Sequence, residues 1–232
     1  AKAEIFKGMA KNGVAVLNYD SPSFARLVKA AKNAGLKKVR SFSEEKKADA
    51  FLRSYSLTEK GNGVEATIAG RRISYLIGTF GLHFIKNSLA ALLAAYAASG
   101  KIEECAAALP HYHPPEGCGV WFDVPLPEGG QITLIDESRS ASPASVHAAI
   151  DVLGQTEPLP GGRRLLVLGD MDGLGLTSPD LHMALVPDIR ESRIALVFCC
   201  GDTIRYLYDA LPESLRGAYA AGSEELAIFV AQ

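Results

Sequence analysis

The order of apolar runs and helical segments in the second half of the chain is the feature that most constrains its fold. Three apolar runs alternate there with three helical segments: residues 132–135, 143–154, 165–168, 179–189, 194–198 and 202–210. Continuous apolar runs of this length are typical of strands that are buried on both faces. Strands that alternate with helices predict a parallel sheet with right-handed crossovers. We therefore expect an α/β fold with a mostly parallel sheet in this half.

The first half predicts a more mixed α/β arrangement. A strand, a helix and a second strand are expected in that order: residues 13–17, 21–34 and 39–43. Residues 66–68 and 73–77 alternate in polarity around Gly70, which predicts an antiparallel hairpin. An Ala-rich helix is expected over residues 83–98, with Gly100 closing its carboxyl end.

The segment between the two halves is rich in residues that stop helices. Residues 110–117 read Pro-His-Tyr-His-Pro-Pro-Glu-Gly, and their prolines predict a hinge. We therefore expect two domains, residues 1–112 and residues 113–232. The spacing of His111 and His113 can reach one metal ion, but no third ligand lies nearby in sequence. A solvated hinge is the favoured interpretation, and no metal-binding residues are predicted.

Charge and apolar content exclude several classes of protein. The 232 residues include 24 Lys+Arg and 26 Asp+Glu, a net charge of −2, and this balance argues against nucleic-acid binding. The most apolar stretch, residues 84–98, carries Lys86 and is shorter than the roughly 20 residues that cross a bilayer, so no membrane span is expected. Four cysteines without paired spacing favour a reducing, cytoplasmic setting.

Polar residues follow each apolar run of the second half. Ligands of open parallel sheets bind beyond the carboxyl ends of the strands. The segments in that position are residues 136–140, 169–175 and 201–203. Ser142, Ser178 and Asp202 are predicted to cap helices, whereas Asp136, Glu137 and Asp170 suit either a capping role or a ligand site equally well. No Gly-Lys-Ser/Thr follows the glycines of residues 169–175, so this loop is not a P-loop.

Four phrases of the sequence resemble the Mur-type amide ligases of peptidoglycan synthesis, in order and in spacing. They are Ala-Lys-Ala-Glu-Ile-Phe with Gly-Val-Ala-Val-Leu-Asn (residues 1–6 and 13–18), Gly-Leu-His-Phe-Ile-Lys-Asn-Ser-Leu-Ala-Ala (81–91), Ile-Asp-Glu-Ser-Arg-Ser-Ala-Ser-Pro (135–143) and Leu-Gly-Asp-Met-Asp-Gly-Leu-Gly (168–175). The resemblance implies part of the family's central ATPase domain over residues 1–112. It implies a Rossmann-like carboxy-terminal domain, without its last strand, over residues 113–232.

The resemblance also implies a reaction. The most similar family members use ATP and Mg²⁺ to form an acyl phosphate on UDP-N-acetylmuramoyl-tripeptide, which D-alanyl-D-alanine then attacks. The sequence contains no P-loop, so this chain alone is predicted to be inactive and to bind neither ATP nor Mg²⁺. Three hypotheses remain open: a part or relative of such a ligase, a catalytically inactive Mur-like binding or scaffold module, and an unrelated α/β domain that binds an anion at its strand edge.

Site residues follow from the resemblance position by position. Lys2 falls at the family's carbamoylated lysine and is the implied catalytic residue. His83, Asn87 and Glu137 match positions that face the adenine and ribose of the nucleotide. The implied substrate-binding residues are Asp136, Ser138, Arg139, Ser140, Asp170 and His182.

Several positions depart from the family's pattern. Cys118 stands where the family has an Arg that reaches toward the ATP phosphates, and a thiol cannot supply a bidentate cation. Phe84 replaces an Asn, and Gly173 replaces a Glu. These departures favour the scaffold hypothesis. The expected absence of a closing strand would leave a sheet edge open, which predicts an edge-mediated homodimer.

Overall fold

A computed structural model describes residues 2–127 and 129–231, apart from the side chain of Lys2. The chain forms two compact units, Ala1–His113 and Pro114–Gln232. Both units contain helices and strands, so the expected α/β class is confirmed. No helix in the described ranges is long and apolar enough to cross a membrane.

The first unit is built on a five-stranded sheet. Its elements in chain order are a 3-10 helix (Lys2–Gly8), β1 (Val14–Asn18), α1 (Phe24–Asn33), β2 (Lys38–Ser43), β3 (Ala50–Thr58), β4 (Gly61–Ile68), β5 (Arg71–Ile77), α2 (Leu82–Ser99), α3 (Ile102–Ala108) and a second 3-10 helix (Leu109–His111). The strand order is β1-β2-β3-β4-β5. β1, β2 and β3 pair in parallel, and β3, β4 and β5 pair antiparallel.

Helix α2 covers one face of this sheet. Its apolar side chains, including Ile85 and Leu89, form one core with Val64 and Ile68 of β4. Because this helix is fixed on the sheet, the residues of its first turn have a defined position.

Strand β3 was not predicted from the sequence. Residues 53–58 of this strand are all exposed and mostly polar, so no apolar pattern marks it. Its position is determined by backbone pairing with β4, which sequence periodicity does not reveal.

The second unit contains two separate sheets. Its elements are β6 (Val120–Pro125), β7 (Gln131–Asp136), α4 (Pro143–Gln155), β8 (Leu165–Gly169), a 3-10 helix (Gly175–Thr177), α5 (Ser178–Met183), α6 (Val186–Glu191), β9 (Leu196–Cys200), α7 (Arg205–Ala210), a last 3-10 helix (Glu213–Leu215), β10 (Arg216–Ala220) and α8 (Ser223–Val230). The parallel sheet has the order β10-β9-β8, and its core includes Val197 together with Ile150 of α4 and Ile189 of α6.

The placement of residues 132–135 in the parallel sheet was wrong. These residues lie in β7, which pairs antiparallel with β6 in a two-stranded hairpin. Gly129 and Gly130, at φ 92° and 88°, turn the chain back so that the two strands meet locally. Only the ends of β8 and β9, among the three expected strands, therefore share an edge.

The expected helix over residues 179–189 is two helices, α5 and α6. Pro187 lies in the first turn of α6. Proline has no amide hydrogen, so it cannot bond to the Met183 carbonyl that ends α5. Strand β10 and helix α8 had no counterpart in the sequence prediction.

Candidate functional site

Asp170 links the carboxyl ends of β8 and β9 through hydrogen bonds. Its carboxylate accepts hydrogen bonds from the backbone amides of Asp202 (3.0 Å), Thr203 (3.3 Å) and Ile204 (2.6 Å). Gly201 has φ 119°, and a Cβ there would lie 2.6 Å from the Asp170 Cγ, so the turn accepts only glycine. The predicted cap at Asp202 was therefore wrong, because the carboxylate that receives these amides comes from Asp170.

His182 lies in the interior of the second unit. Its side chain is fully buried, at 0% exposure. The Met171 amide donates to Nε2 at 3.0 Å, and Nδ1 lies 2.7 Å from the Ser178 carbonyl oxygen. Both ring nitrogens therefore have backbone partners, and the expected contact of His182 with substrate stays a prediction. Ser178, expected to cap a helix, lies one residue inside α5, whose N-cap is Thr177.

The end of the β6–β7 hairpin carries the second group of expected site residues. Hydrogen bonds from the Ser138 hydroxyl and amide, and from the Gly117 amide, lower the pKa of Asp136. Burial, with a smaller contribution from the Asp136 carboxylate, raises the pKa of Glu137. Asp136 thus holds a turn together, whereas Glu137 keeps a half-buried carboxyl group that can accept hydrogen bonds.

The following residues form an exposed turn. The Arg139 amide donates to the Gly117 carbonyl at 3.0 Å, which closes the turn on the segment before β6. The side chains of Ser138, Arg139 and Ser140 are exposed and are therefore free to meet a ligand. Ser142, expected as a helix cap, does cap α4, and its hydroxyl accepts from the Ser145 amide.

The first turn of α2 holds the expected adenine-side residues. The His83 Nδ1 atom is buried and has no hydrogen-bond partner among the described residues. Burial, followed by the positive charge of Lys86, lowers the pKa of His83, so its ring is neutral near pH 7. The ring packs against that of Phe84, with centroids 4.1 Å apart and the ring planes tilted by 43°. Asn87 is exposed one turn further on, on the same face of the helix.

Asp20 is a site-edge residue that the sequence analysis missed. It follows β1, and its carboxylate accepts from the Ser43 hydroxyl at 2.6 Å and from the Glu44 amide at 2.9 Å. Glu44 in turn forms an ion pair with Lys86 of α2. The rule that polar residues follow apolar strands, applied to residues 13–17, would have found Asp20.

The hydrogen-bonding atoms of these residues limit the groups that they can hold. The unpartnered Nδ1 of His83 suits a heterocycle that carries hydrogen-bonding atoms, and adenine is one such group. No group of three His, Cys, Asp or Glu side chains that could hold a metal ion occurs in the described ranges.

Comparison with known proteins gives the family. A family profile described as the Mur ligase middle domain matches residues 1–95. The UDP-N-acetylmuramoyl-tripeptide–D-alanyl-D-alanine ligase of Rickettsia prowazekii is 30% identical over 97% of this chain and 49% of its own length. The chain belongs to the Mur ligase family. The Escherichia coli ligase of the same name is 29% identical over 87% of the chain and 42% of its own length.

Solved Mur ligase structures have the same fold. MurF from Acinetobacter baumannii covers 99% of this chain, with a TM-score of 0.84 at 23% identity and 47% of its own length matched. MurF from Thermotoga maritima in complex with ADP has a TM-score of 0.77 at 18% identity, over 99% of this chain and 49% of its own. The chain spans about half the length of the curated Mur ligases that it matches.

Proposed function

We propose that the chain is part of an ATP-dependent ligase that joins D-alanyl-D-alanine to UDP-N-acetylmuramoyl-tripeptide through an acyl phosphate. The observation that carries this proposal is the alignment with the Rickettsia prowazekii ligase, which runs through 97% of the chain at 30% identity. Because the chain spans about half of that relative, the activity is assigned to the full-length protein. ATP supplies the phosphoryl group in this reaction.

Nucleotide contacts are proposed for three residues. The His83 Nδ1 atom and the exposed Asn87 amide have the hydrogen-bonding capacity to meet an adenine edge. Glu137 has a carboxylate that can accept hydrogen bonds from ribose hydroxyl groups. In the full-length protein, His83→Phe should raise the KM for ATP and leave the KM for the dipeptide unchanged.

Substrate contacts are proposed for the exposed turn after β7. Ser138 and Ser140 can donate and accept hydrogen bonds, and Arg139 can pair with a carboxylate of either peptide substrate. Asp136 and Asp170 contribute by fixing the loops beside them. The catalytic role of Lys2 stays a prediction from the resemblance, because its side chain lies outside the described part of the structure.

The test is phosphate release by the full-length protein. Release should require ATP, the UDP-linked tripeptide and D-alanyl-D-alanine together, and omission of any one should abolish it. Binding of these ligands without turnover would instead favour the inactive scaffold.

Cys118 provides a sharper version of this test. A cation at this position would stabilise the charge of a transferring phosphoryl group, so Cys118→Arg should raise turnover by roughly a hundredfold if its absence limits the rate. Cys118→Ser is the matched control, because it changes the side chain without adding charge. Equal turnover rates for the two variants would show that the lack of a cation at position 118 does not limit the reaction.

The setting and the assembly of the protein are also proposals. The cysteines of the described ranges are all free thiols, which supports a reducing, cytoplasmic location. Strand β8 lies at one edge of its three-stranded sheet, which supports the proposed homodimer through that edge. Light scattering should then show a dimer that Val167→Lys dissociates, and a strict monomer would contradict it.

A further inference from the structure

The loop between β8 and α5 is held at both of its ends by one side chain. The Met171 amide, at the start of the loop, donates to Nε2 of His182 at 3.0 Å. The Ser178 carbonyl, at its end, lies 2.7 Å from Nδ1 of the same ring. Met171 and Ser178 are seven positions apart in the chain, so the two bonds to the His182 ring connect the two ends of the loop.

These two partners define the proton position on the ring. A backbone amide can only donate, so Nε2 must carry a lone pair and no hydrogen. A backbone carbonyl can only accept, so Nδ1 must carry the hydrogen. The arrangement therefore requires neutral imidazole in its Nδ1–H form. Protonation of Nε2 would place two hydrogens opposite each other and break the bond to Met171.

Asp170 extends the same arrangement to the neighbouring strand. It precedes Met171, and its carboxylate receives three backbone amides of the turn after β9, from Asp202, Thr203 and Ile204. The bond to His182 fixes the backbone at Met171. Because Asp170 directly precedes Met171, the same bond also orients the Asp170 carboxylate toward the residues after β9. Two consecutive residues thus join the loop and the turn.

The middle of the loop depends on these fixed ends. It contains Gly173 and Gly175, which leave the backbone free to adopt many paths. Leu176, between them and Ser178, is fully exposed and packs on nothing. Met171 and Leu174 pack in the apolar core, so the core anchors one part of the loop, and the two hydrogen bonds of His182 fix its ends.

We propose that His182 is a positioning residue that is held as the Nδ1–H tautomer, and that it sets the path of the loop over residues 171–178 and, through Asp170, of the turn after β9. Both of its ring nitrogens are bonded to backbone groups, so the role assigned to it is to hold the loop. This inference stands on the geometry of the second unit and is independent of the reaction proposed above.

The first test needs no substitution. In the 232-residue chain labelled with ¹⁵N, long-range ¹H–¹⁵N correlation spectra at pH 7 report which ring nitrogen carries the hydrogen. The expected result for His182 is a protonated Nδ1 and an unprotonated Nε2. An Nε2–H tautomer, or a doubly protonated ring, would overturn the proposal.

The second test separates the two bonds of the ring. In His182→Gln the side-chain oxygen can replace Nε2 as the acceptor for Met171, whereas in His182→Asn the shorter amide can replace only the Nδ1 donor to Ser178. Hydrogen exchange of the Met171 amide should accelerate about tenfold in His182→Asn and remain near the wild-type rate in His182→Gln. His113→Gln, at an exposed position, is the control. Equal exchange rates in both His182 variants would contradict the proposed role.

Discussion

The two units differ in whether the polar side chains at their expected ligand sites have hydrogen-bond partners within the protein. In the second unit, the carboxylate of Asp170 and both ring nitrogens of His182 are bonded to backbone groups. In the first unit, the His83 Nδ1 atom is buried and has no partner among the described residues. A buried polar atom without a partner costs free energy, whereas a bonded one stabilises the fold. The unpartnered atom is therefore the better indication of a ligand.

The largest effect is expected at Asp170. Asp170→Ala leaves three backbone amides without their acceptor, so the free energy of unfolding should fall by about 2–3 kcal/mol. Urea denaturation of the chain measures this change. Asp172→Ala, an exposed position in the same loop, is the control and should cost less than about 0.5 kcal/mol. Equal losses in the two variants would mean that the Asp170 carboxylate is not an anchor.

A smaller, pH-dependent effect is expected at Glu137. Its pKa is raised in the folded protein, so its stabilising contribution is present below its unfolded pKa and is lost as the pH rises through the folded value. Glu137→Gln should therefore be more stable than the wild type near pH 7, by less than about 1 kcal/mol since the group is half exposed. The difference should vanish near pH 3. Glu116→Gln, at an exposed position of the same unit, is the matched control variant.

Asp136, the residue before Glu137, is expected to affect stability near pH 7 in the opposite direction. The pKa of Asp136 is lowered by its hydrogen bonds, so its contribution is present above its unfolded pKa and is lost as the pH falls through the folded value. Asp136→Asn should thus be less stable than the wild type near pH 7, where Glu137→Gln is more stable, and both differences should vanish at low pH. A change of the same sign in the two variants near pH 7 would show that the two carboxyl groups do not differ as described.

The smallest effect on stability is expected at His83. Replacing its ring by Phe removes a polar atom that has no described partner, so the free energy of unfolding should change by less than about 0.5 kcal/mol. His182→Phe, which removes two bonded nitrogens, should cost several times more. Thermal unfolding of the two variants side by side measures the contrast. A large loss at His83 would show that this atom is needed by the fold itself.

The sequence predicted most strands and helices because their side chains divide between core and solvent in a regular pattern. The runs at residues 165–168 and 194–198 became β8 and β9, since Leu166 and Val197 of these strands pack with the neighbouring helices in one core. Residues 132–135 were assigned to the same sheet, but a local turn pairs them with β6 instead. Apolar content does not distinguish these cases, because the pairing partner depends on the turn before the strand.

The residues of the site were easier to find than their roles. The rule of strand ends identified Asp170, and the family resemblance identified His83 and His182. Only coordinates show that His182 is fully buried while Nδ1 of His83 lacks a partner. A residue type has several hydrogen-bonding capacities, and the fold decides which of them are satisfied internally.

The central proposal is that this chain is part of a ligase for D-alanyl-D-alanine. The most direct measurement is the mass of the product after the full-length protein is incubated with ATP, UDP-N-acetylmuramoyl-tripeptide and the dipeptide. The account predicts a nucleotide product heavier than the tripeptide by one D-alanyl-D-alanine less one water. Recovery of unchanged tripeptide from a folded, full-length protein that binds its substrates would contradict it.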